Sequence, residues 1–154
     1  MLKIEPVKSL TAALIYCMGH KNERASVIGT THGSANNWTT ALADFAKDET
    51  EASLMLVQSF PSGTHPDPEQ VNATGLALIK AIAPGYYAVV VTHVDKDHTH
   101  NHIILSQAPH KNDPDYKLRG NFVYDGYKTV IQARRTNDMI CDFYGLPNGQ
   151  VKIA

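Results

Sequence analysis

Four of the chain's eight histidines fall between His93 and His102. This tract constrains the fold more than any other stretch, because both of its flanks are β-forming. Tyr-Tyr-Ala-Val-Val-Val-Thr precedes His93 and Ile-Ile-Leu-Ser follows His102. β-branched and aromatic runs of this kind form strands, so the polar segment Val94–Thr99 reads as the loop of a hairpin. His100 and His102 are two apart and point to one face of a strand. His93 ends the preceding strand and returns beside them when the hairpin closes. Three imidazoles then converge from adjacent strands as an open metal site with room for water or substrate. A closed structural site would recruit cysteine, and neither Cys17 nor Cys141 is near in sequence. His98 lies in the loop at the parity of His100 and His102. It is read as facing substrate or backing the ligands, with a fourth-ligand role left open. Asp95, in the same loop, can accept a ligand's second N–H or take a proton.

The rest of the chain supplies elements for this hairpin to pack against. Leu2–Glu5 alternates like a short strand. Ser9 can cap a helix over Leu10–Met18, with Gly19 as its stop. Leu10, Ala13, Leu14 and Cys17 form its apolar stripe, and at roughly 100° per residue Tyr16 points about 130° away from the stripe's middle. Tyr16 can therefore be exposed while its helix is docked. Ala25–Thr30 reads as a strand, and Asn37 caps a helix carrying Trp38, Ala41, Leu42 and Phe45 on one face. Ser53–Phe60 reads as a strand, and Asp67-Pro68 opens a helix to about Ala83. After the hairpin, whose return strand is read as His100–Ser106, Asp125 opens a last helix through Tyr144, with Gly145 and Pro147 as its stop. The expectation is an α+β domain, its largely antiparallel sheet covered by helices.

Composition limits what such a domain can do. A chain of 154 residues that is 43% hydrophobic forms a single domain with a real core. Its net charge of -1 excludes a chain that grips nucleic acid by overall positive charge, so DNA affinity would come from a local patch or a metal. Two cysteines fit a reducing compartment. No apolar run approaches the roughly 20 residues of a membrane helix, and the Leu10–Met18 stretch lacks a signal-peptide cleavage site, so the expected location is cytoplasmic. Neither a P-loop, a dinucleotide glycine pattern nor a His-Glu-x-x-His helix is present.

Thr92-His93-Val-Asp95-Lys-Asp97-His98-Thr-His100-Asn-His102-Ile resembles the metal motif of conjugative relaxases, the mobilisation proteins within the HUH endonucleases. Asn101 stands where that superfamily has a hydrophobe between its two histidines. The resemblance runs through nearly the whole chain: Lys3–Ser9 and Ala13–Tyr16 look like the family's first strand and tyrosine helix. Val57–Phe60 and Pro68–Gln70 look like its middle segment. It implies a central antiparallel sheet of about five strands with the histidines on one face. It also implies nicking of DNA at an origin of transfer, with Tyr16 as nucleophile, a 5′-phosphotyrosyl intermediate and one divalent ion on His93, His100 and His102. His20 is the rival nucleophile, since some related enzymes use a histidine in this region. The ligand type suits zinc or nickel, whereas the resemblance points to manganese or magnesium in the working enzyme.

The expected substrate is origin DNA, single-stranded around the nick, with accessory relaxosome proteins and a coupling protein as further partners. Lys21 and Arg24 by the tyrosine helix, and Lys117 and Arg119 in a later basic cluster that includes Lys128, Arg134 and Arg135, are candidates for tracking phosphates. The modest charge suggests that the domain is the N-terminal catalytic part of a longer protein. Two other functions stay open at this point. One is a metal-dependent phosphoester hydrolase with no covalent step. The other is a non-catalytic DNA-binding or replication-initiation module of the same fold.

Overall fold

The histidine hairpin forms the middle of the sheet. The computed structural model describes residues 2–48, 53–94, 97–115, 120, 122, 125–147 and 150–151. In chain order these form β1 (Leu2–Pro6), α1 (Leu10–Met18), β2 (Val27–Thr30), α2 (Trp38–Lys47), β3 (Ser53–Ser59), α3 (Pro68–Ile82), β4 (Tyr86–His93), β5 (His100–Pro109), α4 (Gly126–Tyr144) and β6 (Gln150–Val151). The strands lie in the order β1-β3-β5-β4-β2, every pairing is antiparallel, and the two-residue β6 adds to β3. This is the α+β arrangement expected from the sequence.

Helices cover both faces of the sheet, and the two-residue side-chain period sorts the strand residues between them. Tyr87, Val89, Val91 and Ile104 pack against Leu10, Leu14 and Met18 of α1 and Phe45 of α2. Ala88, Val90, Ile103 and Leu105 face the other way, onto Leu78, Ile79 and Ile82 of α3 and Val130 and Ala133 of α4. Every residue of β4 is buried, which explains why its sequence is a continuous run rather than an alternation.

Local chemistry sets the helix positions. The Ser9 hydroxyl accepts from the Ala12 amide at 3.2 Å, fixing the start of α1. Asn37 and Thr40 form a reciprocal capping box on α2. Helix α3 crosses the sheet closely enough that a Cβ on Gly75 would stand 2.7 Å from both Asn101 Nδ2 and Val90 Cγ1. Glycine there is a requirement of packing.

Four strand limits differ from the sequence reading: β1 runs one residue past Glu5 to Pro6, β3 stops one residue short of Phe60, and two others differ by more. Strand β2 begins at Val27 rather than Ala25, because the Ala25 amide closes a turn onto the Asn22 carbonyl at 3.2 Å. Strand β5 continues past Ser106 to Pro109. A register irregularity opposite Tyr86–Ala88 takes up the extra residues, as a bulge does.

Candidate active site

The hairpin register places His93 directly opposite His100, and Val91 opposite His102. All three histidines lie on the α1 face and are buried, at 1%, 7% and 7% exposure in sequence order. One ligand nitrogen from each can be chosen so that all lie within 4.8 Å of one another. Among the described residues this is the group of histidine, cysteine and acidic side chains able to hold an ion.

The hydrogen bonds around the triad say which nitrogens are available. His93 Nε2 meets the Cys17 carbonyl oxygen in α1. A carbonyl only accepts, so Nε2 carries the proton and Nδ1 holds the lone pair. His100 Nδ1 faces the His98 carbonyl at 3.4 Å, and a proton held there leaves a lone pair on Nε2. His93 Nδ1 and His100 Nε2 stand 3.2 Å apart. At this spacing one ring can donate to the other, and with that proton released both nitrogens offer lone pairs to a shared ion. The donor set therefore fits a divalent metal, and the backbone carbonyls orient the rings as supporting groups do in metal sites.

Tyr16 stands next to this group. Its side chain is 55% exposed, as the helical angle predicted, and its ring meets His102 edge-on with centroids 5.8 Å apart. Arg24 lies over the ring with its guanidinium carbon 4.6 Å from the centroid. His20 packs edge-on against Trp38, with ring centroids 6.2 Å apart. The thiol of Cys17 is buried, and burial pushes it up to about 12, so α1 presents no ready thiolate to the site.

The remaining sequence candidates divide by position. The His98 ring lies 5.4 Å from that of His100, at the rim of the triad. Lys21 is exposed in the loop after α1. Asp95, Lys117 and Arg119 lie outside the described residues. Lys128, Arg134 and Arg135 belong to α4, which packs on the face of the sheet away from the histidines.

Of one further group of residues the sequence singles out only Asn101. Behind the triad, on the α3 face, runs a buried polar chain. Asn72 Nδ2 donates to the Thr92 hydroxyl at 3.1 Å, and that hydroxyl donates to Asn101 Oδ1 at 2.6 Å. Asn101 Nδ2 donates to Gln58 Oε1 and to the Val71 carbonyl, both at 2.8 Å. Gln58 Nε2 reaches Asn137 Oδ1 on α4. Asn101 is thus a fully bonded interior residue, and Gly75 provides its space. The available signal was Gln58, Thr92 and Asn101 falling at the apolar phase of three neighbouring strands.

Comparison with known proteins agrees with this geometry. Protein rlx of Staphylococcus aureus is 28% identical over 144 residues, 94% of this chain and 43% of that protein. The group II intron-interrupted relaxase LtrB of Lactococcus lactis subsp. cremoris (strain MG1363) is 33% identical over 99 residues, 58% of this chain and 17% of that protein. The chain thus spans less than half the length of these curated relatives. The relaxase family model described as MobA/VirD2-like, nuclease domain, matches residues 16–146, a span that opens on the exposed tyrosine and includes the whole triad. The chain belongs to the MobA/VirD2-like relaxase nuclease-domain family.

Proposed function

We propose that this domain nicks one DNA strand at an origin of transfer by transesterification onto Tyr16, for conjugative transfer or mobilisation. The observation that carries the reading is the exposed Tyr16 ring beside His102, at the edge of the buried triad. An exposed hydroxyl next to a metal-competent group is what attack on a bulky phosphodiester requires. A metal-bound water acting alone would not need it.

His93, His100 and His102 would hold one divalent ion, manganese or magnesium, which when bound supplies polarisation of the phosphate oxygens and charge stabilisation in the transition state. Tyr16 Oη forms a bond to the scissile phosphorus while the bond from phosphorus to the 3′-oxygen breaks. The phenol proton passes to Asp95, and the departing 3′-oxygen takes a proton from water to become a free hydroxyl. The 5′-phosphotyrosyl ester retains the energy of the broken bond, so rejoining is the reverse step and needs no nucleotide. His98, at the rim, faces the incoming strand. Lys21, Lys117 and Arg119 track its phosphates, which are single-stranded around the nick. The domain acts in the cytoplasm with accessory relaxosome proteins and a coupling protein. Among the described residues, no helix is long and apolar enough to cross a membrane.

The test is covalent trapping. Wild type and Tyr16→Phe are incubated with DNA from the element that encodes the chain, with manganese or with chelator, and adducts that resist denaturation are resolved on a gel. A metal-dependent adduct that disappears in Tyr16→Phe is expected. An adduct that survives the substitution would move the nucleophile to His20 or another residue, and metal-dependent cleavage with no adduct would favour a hydrolase. Binding without cleavage would leave a DNA-binding module.

A further inference from the structure

An exposed tyrosine on a helix normally samples several rotamers, yet Tyr16 is held from two sides. The His102 imidazole meets its ring, and the Arg24 guanidinium lies over it at 4.6 Å. The same guanidinium donates from Nη1 to the backbone carbonyl of Tyr16 at 2.6 Å. One side chain therefore fixes both the ring and the last turn of α1.

The loop that delivers Arg24 is itself fixed. Gly19 (φ 81°) and Asn22 (φ 60°) turn the chain back on itself. The Arg24 amide donates to the Met18 carbonyl at 3.1 Å, and Asn22 Nδ2 ties the loop to the Asn36 carbonyl at 2.7 Å. The Glu23 carboxylate accepts from the Lys21 amide at 2.8 Å, and backbone hydrogen bonds hold its pKa below the usual carboxylate range. Arg24 is half-buried and already engaged, unlike the exposed Lys21 beside it. Only arginine combines a flat cation for stacking with a fork of donors, so lysine could keep one contact but not both.

From this we infer that Arg24 is a positioning residue for the nucleophile: it clamps the Tyr16 ring in its attacking orientation and thereby sets the rate of strand cleavage rather than the affinity for DNA. The inference rests on the nicking function proposed above. It separates Arg24 from the phosphate-tracking cations with which its charge alone would group it.

The experiment compares wild type, Arg24→Gln and Arg24→Lys, with thermal midpoints measured to show that each is folded. Single-turnover adduct formation is followed at saturating concentrations of the oligonucleotide that wild type cleaves. The rate should fall about 10- to 100-fold in Arg24→Gln, the scale of a misplaced reacting group, and recover only partly in Arg24→Lys. Affinity measured in chelator, and its dependence on salt, should match wild type. A phosphate ligand would instead weaken binding and lower the salt slope by about one, with the saturated rate unchanged, and that result would overturn the clamp. A second readout needs no DNA. With ring-labelled tyrosine, the Tyr16 NMR signal, identified by its absence in Tyr16→Phe, should move in Arg24→Gln. An unmoved signal would also overturn the clamp. A wild type that makes no adduct would sink the nicking function, while the ring signal would still decide whether Arg24 holds Tyr16.

Discussion

Replacing Asn101 with leucine gives the chain the hydrophobe that the wider superfamily has between its histidines, and it should destabilise this protein. Asn101 is fully buried, and its amide makes hydrogen bonds of 2.6, 2.8 and 2.8 Å to Thr92, Gln58 and Val71. With leucine, Gln58 Oε1 loses its donor and the Thr92 hydroxyl loses its acceptor, each inside the protein at a cost of about 1–3 kcal/mol. The Val71 carbonyl loses less, because the Thr74 hydroxyl also donates to it at 2.7 Å. Leucine returns roughly 1 kcal/mol of apolar transfer, partly cancelled by crowding against Gly75 and Val90. The net cost is about 2–4 kcal/mol, which in a chain of this size lowers Tm by roughly 10 °C.

Guanidinium denaturation followed by circular dichroism measures this directly, and Thr92→Val with the double variant completes a cycle. Because the network joins the two residues through one hydrogen bond, the cycle should return a coupling of about 1 kcal/mol or more. The side chain faces away from His100 and His102, so metal affinity per folded molecule should stay at the wild-type value. A leucine variant as stable as wild type would refute the reasoning, and strict additivity with Thr92→Val would show that the chain of bonds is not a unit.

Two further outcomes are expected. His100→Ala removes one of the two facing nitrogens and should cut manganese affinity at least about 10-fold in calorimetry, while stability in chelator changes little. Equal affinity would place the ion elsewhere. His32 has its pKa lowered by burial and then by the charge of His110, whose ring stacks on it at 4.2 Å, against smaller opposing effects of Asp48 and Asp113. Its folded pKa lies below the unfolded 6.5, so the unfolded chain binds more protons as pH falls, and stability present above 6.5 is lost toward pH 5. His32→Phe keeps the stack and should flatten the decline of Tm between pH 7 and 5. An unchanged slope would assign that decline to other groups.

The parts of the fold legible in the sequence were those governed by local rules. The caps at Ser9, Asn37 and Asp67 name their helices because each side chain bonds an amide two or three residues on. The β4–β5 hairpin is legible because its β-branched runs and histidine spacing agree on one register. The sequence ends strand β5 at Ser106 because Gln107-Ala-Pro109 carries no strand pattern. Its continuation depends on Pro109 pairing with Tyr86 across an irregularity that only the partner strand defines. The Asn72–Thr92–Asn101–Gln58 network was illegible for a related reason. A polar residue on a strand reads as solvent-facing until something shows which helix covers it, and Gly75 gives no hint of its target.

The site divides along the same line. The three histidines able to hold an ion come from one hairpin, so spacing alone brings them together. Tyr16 and Arg24 reach them only because α1 docks on the sheet and its loop folds back. The helical angle could say that Tyr16 faces outward, but not that it faces His102. The resemblance to relaxases supplied that link, and it supplied nothing for Arg24, whose charge suggested a phosphate contact. The contact it makes is with the tyrosine ring, a distinction that depends on the turn at Gly19 and Asn22. Metal competence here is a property of local sequence, whereas the aim of the proposed nucleophile is a property of tertiary packing. Substitutions in the loop after α1 should therefore separate the two, impairing strand cleavage while leaving the triad able to bind its ion.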